Sequence, residues 1–63
     1  MYYVEISIKW HKTSDPFYPY EAIFNNRYLK LRLNDYPEEP MYTLLVNGEV
    51  IESFDEWPSC WIR

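Results

Sequence analysis

Hydrophobic residues recur at every second position of "YYVEISIKW", where Val4, Ile6, Ile8 and Trp10 alternate with Tyr3, Glu5, Ser7 and Lys9. Successive side chains of a strand point to opposite faces, so period two with β-branched residues predicts a strand here with one buried side. The pattern breaks in "HKTSDPFYPY", where Pro16 and Pro19 each withdraw a donor from any ladder. Residues 11–19 therefore read as a loop.

Two alternating runs flank Asn25-Asn26 in "YEAIFNNRYLKLRLN". Asparagine is the best non-glycine residue at positive φ, which a tight two-residue hairpin turn requires. A turn there sets Phe24 against Arg27, Ile23 against Tyr28, Ala22 against Leu29 and Glu21 against Lys30. The last is an opposite-charge pair favourable by roughly 0.2–1 kcal/mol. Tyr20 and Ala22 also fall on the side of Leu29, Leu31 and Leu33, so register and pattern agree. "NDYPEEP" reads as a second turn region, and "MYTLLVNGEVIESF" follows with the strongest hairpin signal in the chain. Asn47-Gly48 is the preferred pair where both central residues need positive φ. This turn pairs Leu45 with Val50, Leu44 with Ile51 and Thr43 with Glu52. Hydrophobic residues then lie on both faces, and cover by a helix, a loop or another subunit is expected on each.

"SFDEWPSCWIR" abandons the alternation. Ser53 and Glu56 have capping-box spacing, Asp55 is an alternative N-cap, and Pro58 suits a first helical turn. Trp57 and Trp61, four apart, would share one face of that turn with Cys60 beside them. So short a run is not stable alone and must dock on the sheet. The expected fold is mainly β, or a small α+β fold if that turn counts. It is an antiparallel sheet of four or five strands built from two tight hairpins, as a meander or partly closed barrel. A short C-terminal helical turn packs on one face, and residues 1–63 make one domain.

Composition changes this picture by showing how little else can hold it. A chain of 63 residues buries only about 60% of the surface its unfolded form exposes. Domains this small usually lean on disulfides, metals or a second subunit. Cys60 alone excludes an internal disulfide, and with the single His11 it cannot complete a structural zinc site. What remains is three Trp, seven Tyr and three Phe, each burying roughly 150–250 Å². Trp57 and Trp61 are therefore expected to form a lid on the sheet, the alternative being an aromatic anchor for a partner. A hydrophobic content of 48% argues against disorder. The first residues carry no apolar run behind basic ones, and no stretch nears the roughly 20 apolar residues of a membrane span. With lone cysteine usage, a cytoplasmic protein is expected, with no membrane association.

The net charge of −4 is unevenly spread. Residues 1–33 hold five bases (Lys9, Lys12, Arg27, Lys30, Arg32) against three acids (Glu5, Asp15, Glu21), giving +2. Residues 34–63 hold Arg63 against seven acids (Asp35, Glu38, Glu39, Glu49, Glu52, Asp55, Glu56), giving −6. Such a split can steer association with a charged partner or with another copy; the plainer reading is a solvated surface.

Candidate chemistry is sparse. In strand form Tyr28, Lys30 and Arg32 share a face, an arrangement on which single-stranded nucleic acid can stack and pair charges. An acidic domain lacks the strongly basic footprint of such binders, so nucleic acid is not the expected partner. A cysteine nucleophile needs a base, and Cys60 with His11 is the only such combination. In a tryptophan-rich segment the free thiol reads instead as a small buried hydrophobe. The acids lie in turns, without the separation glycoside hydrolysis needs, and Asp35, Glu38 and Glu39 lack a metal-loop signature. No catalytic, metal or cofactor residue is assigned, and a small hydrolase is the weakest reading. The expected function is a non-catalytic protein-binding or assembly module, in its simplest form a homodimer through the sheet. Its candidate partner surface is Trp57, Trp61, Tyr28, Lys30 and Arg32.

Overall fold

In the computed structural model, which describes residues 2–63, the backbone doubles back within two residues at Asn25-Asn26 and again at Asn47-Gly48. All four turn residues have positive φ: 51° and 62° in the first pair, 52° and 83° in the second. The strands they join are β2 (Tyr20–Phe24) with β3 (Arg27–Leu33), and β4 (Tyr42–Val46) with β5 (Glu49–Phe54). The first hairpin has the expected register throughout, including Glu21 opposite Lys30. The second pairs Leu45 with Val50 as expected but then slips: Leu44 opposes Glu52 and Thr43 opposes Ser53, across an irregularity between Leu44 and Leu45. The expected pairs Leu44–Ile51 and Thr43–Glu52 are thereby corrected. An extra residue in one strand flips every following side chain to the other face.

A two-residue strand β1 (His11–Lys12) joins β2, and the sheet runs β1-β2-β3-β4-β5 with every neighbour antiparallel. The expected loop is therefore shorter at its start. Residues 13–19 are held by Asp15, whose Oδ1 accepts the Phe17 and Tyr18 amides, and by Thr13, whose hydroxyl donates to the Tyr18 carbonyl.

The N-terminal strand is a second correction. Residues Tyr3–Glu5 form a 3-10 turn, and an extended segment follows it. The alternation survives from Ile6 onward, with Ile8 and Trp10 buried and Ser7 and Lys9 exposed. The turn rotates Tyr3 out of the polar row and into the core, where its hydroxyl accepts from Arg27 Nη1 at 2.9 Å.

At the other end, the expected helical turn is absent among the described residues. Its capping side chains have other partners. Ser53 lies in β5 with its hydroxyl 2.9 Å from that of Thr43, and Asp55 Oδ1 accepts the Met41 amide. What forms is one tight turn, closed by the Trp61 amide donating to the Pro58 carbonyl at 3.1 Å. The tail crosses the core face as a strap. It leaves β5 at Phe54, and Ile62 then forms a parallel bridge with Lys9. Trp10 N donates to the Ile62 carbonyl at 2.6 Å and Ile62 N to the Ile8 carbonyl at 2.8 Å.

Beneath the strap lies the core. Leu29, Leu31 and Leu44 on the central strands are fully enclosed, with Tyr3, Ile8, Trp10, Ala22, Val46 and Trp61 around them. The rings interlock: Trp61 lies 4.9 Å from Trp10 and 5.4 Å from Phe54, while Trp57 lies 5.2 Å from Tyr20 and 5.8 Å from Tyr42. Pairs in such geometry add about 0.5–1.5 kcal/mol each beyond the area they bury. That is how an unstapled chain of this length closes one face of its sheet.

Candidate functional site

Alternation in β2 and β3 sends Tyr20, Ala22, Leu29 and Leu31 to the core and Glu21, Ile23, Tyr28, Lys30 and Arg32 to the opposite face. On β4 and β5 that outer face receives Leu45 and Val50, which oppose each other. Neither the tail nor the N-terminal segment covers this side. Ile23 is 78% exposed, Val50 63% and Tyr28 41%. Cover on both faces was the expectation; only one face has it.

The candidate residues Tyr28, Lys30 and Arg32 do share this face. Lys30 is half-buried, and its ammonium lies 5.3 Å from the centre of the Tyr18 ring and 5.4 Å from that of Tyr28. Loop 13–19 brings Tyr18 there: Leu33 N donates to the Phe17 carbonyl at 3.0 Å, extending the β2–β3 ladder past Tyr20. Cation–π contact of this kind is worth about 0.5–1 kcal/mol at exposed sites. It restrains the ammonium among aromatic rings, while Arg32 stays exposed.

The other two candidates lie on the opposite side. Trp61 is 4% exposed, and its indole nitrogen donates to the Tyr3 carbonyl at 2.9 Å. It has no face left for a partner. Trp57 is half-buried: its nitrogen donates to the Trp61 carbonyl at 3.1 Å, and the Arg63 guanidinium lies 4.4 Å from its ring centre. Beside it an open groove of about 620 Å³ follows β5, lined by Val4, Phe54 and Trp57 together with Glu52, Asp55 and Glu56. The irregularity in β5 turns Glu52 toward this groove.

Cys60 and His11 are not brought together. The Cys60 thiol donates to the carbonyls of Val4 (3.1 Å) and Ile6 (3.2 Å), tying the tail to the N-terminal segment. His11 is exposed on β1 and lines a separate hollow with Glu21 and Ile23. In the turn before β4, Glu39 accepts the Asp35 amide, and among the described residues no three His, Cys, Asp or Glu side chains converge as a metal site.

Ile23 and Val50 are the outer-face residues that reading by composition missed. The hairpin registers already place them opposite Tyr28 and Leu45, so following each register across to its polar-looking side was enough to find them. The groove acid Glu52 had no such signal, because its orientation follows from the strand irregularity. Among the described residues no helix is long and apolar enough to cross a membrane. No protein-family model, curated protein or solved structure matches the chain.

Proposed function

We propose that the chain is a non-catalytic protein-binding module that acts through the uncovered face of its sheet, in its simplest form as a homodimer. The observation that carries this reading is the apolar group of exposed Ile23, Tyr28 and Val50 with half-buried Leu45, spread over four adjacent strands with no strap or helix packed on it among the described residues. A sheet hydrophobic on both faces gains by burying the second one against another element, and an exposed apolar patch rimmed by polar residues marks such a surface. The rim favours a second copy. It holds Glu21 and also Lys30 and Arg32, so a two-fold axis can set the acid of each protomer against the bases of the other.

Sedimentation at micromolar concentration tests it. A dimer is expected for the native chain and a monomer for Ile23→Glu with Val50→Glu, both with unchanged circular dichroism. A monomer at every salt concentration for the native chain removes self-association. The Tyr28, Lys30 and Arg32 row supports single-stranded nucleic-acid binding as a weaker second reading. It requires salt-sensitive capture of an oligonucleotide that is lost in Lys30→Glu with Arg32→Glu.

A further inference from the structure

We infer that the open edge of β5, with the groove beside it, captures an extended peptide segment rich in lysine and arginine as a sixth strand of the sheet. This surface is separate from the outer face and does not depend on dimerisation. Four observations converge on it.

The first is asymmetry between the two ends of the sheet. On the β1 side, the strap occupies the backbone at Ile8 and Trp10 through Ile62. On the other side β5 pairs with β4 alone, and its outward amides and carbonyls have no strand beside them. An unpaired row of this kind is a template for strand addition.

The second is charge. Glu49 and Glu52 lie on β5, and Asp55 and Glu56 directly follow it, with no base anywhere in residues 34–62. Two β5 edges meeting would set acids against acids, and like charges facing each other across strands are destabilising. The acids therefore reject a second copy at this edge and select a cationic strand.

The third is the groove. Glu52, Asp55 and Glu56 share it with the apolar surfaces of Val4, Phe54 and Trp57. A long cationic side chain needs both, since its methylenes bury on apolar surface while its head seeks carboxylates. Asp55 gives one oxygen to the Met41 amide; Glu56 is exposed, and half-buried Glu52 lines the groove beside it. The fourth shows that the ring accepts such a group: the Arg63 guanidinium already stacks against Trp57 at 4.4 Å.

The probe is a synthetic heptapeptide alternating lysine or arginine with valine, titrated into the full chain and followed by amide and indole nitrogen–proton spectra. Shifts are expected along Val50–Asp55 and at the Trp57 indole, weakening as salt is added. A peptide with glutamate in place of every base is expected to leave them still. Methylating every peptide nitrogen removes strand pairing but keeps the charges, and should weaken binding roughly tenfold or more. Glu52→Lys with Glu56→Lys should weaken it to a similar degree, about tenfold, while sedimentation stays as in the native chain. Glu56→Lys alone, at an exposed position, should act in the same direction if the double variant fails to fold. Shifts confined to Ile23, Tyr28 and Lys30, equal affinity for the methylated peptide, or no shifts at low salt would each overturn the inference.

Discussion

Trp10 and Trp61 sit 4.9 Å apart in the core, equally enclosed, yet their indole nitrogens have opposite fates. That of Trp61 donates to the Tyr3 carbonyl, whereas that of Trp10 has no partner among the described residues. A buried donor left unmade costs about 1–3 kcal/mol, and removing one member of a bonded pair strands the other. The Tyr3 carbonyl keeps the Ile6 amide as a second donor, so Trp61→Phe should destabilise the fold by about 1 kcal/mol more than Trp10→Phe, because only the former gives up a hydrogen bond. Urea midpoints of the two variants measure the difference; equal midpoints would show that the Tyr3 bond contributes nothing. Trp61 was legible as a lid residue from its position and bulk. Its polar partner was not, because strict alternation placed Tyr3 among the polar residues and one 3-10 turn moves it inward.

Hairpins were the most legible elements. Asn25-Asn26 and Asn47-Gly48 specify their turns through backbone chemistry alone, and the register of the first follows directly. The second departs three residues past its turn, since nothing in the composition of "GEVIESF" marks where a strand takes an extra residue. The C-terminal segment failed for a related reason. Ser53 and Asp55 suit a helix cap, but both bind across to the neighbouring chain segment instead. Asn47 does more than turn the chain. Its amide donates to the Tyr28 carbonyl at 2.8 Å and its Oδ1 accepts the Tyr28 amide at 2.9 Å, joining the second turn to the start of β3. Asn47→Ala and Asn25→Ala lose a similar tolerance for positive φ, but only the first loses that side-chain bond. Thermal or urea unfolding should show Asn47→Ala about 1 kcal/mol less stable than Asn25→Ala; a reversed order would mean the turn geometry dominates.

On the scale of the whole molecule, one five-stranded layer is covered on one side by two segments from far apart in the chain. The aromatic surplus foretold a lid, and Trp61 with half-buried Trp57 forms it. The exposed side was legible only as a list of hydrophobic positions; that among the described residues only loop 13–19 reaches it, at Lys30, depends on where the strap runs, which no local pattern states. Because the Trp10 amide donates to the Ile62 carbonyl and the Ile62 amide to the Ile8 carbonyl, opening the strap frees both amides together. Native-state hydrogen exchange should give these two amides matching opening free energies, below that of Leu31 on the central strand. Faster exchange at Ile62 alone would mean the bridge frays without releasing the segment beneath it.

The parallel bridge between Lys9 and Ile62 also sets an order for folding. Both hairpins can zip early, since their contacts are local, whereas the bridge joins segments far apart in the chain. Trp10 and Leu31 stay wet until Trp61 docks, so a refolding chain first presents a finished ribbon with a bare greasy side. A dye that brightens on apolar surface should accordingly light up early in stopped-flow refolding and fade as the strap closes.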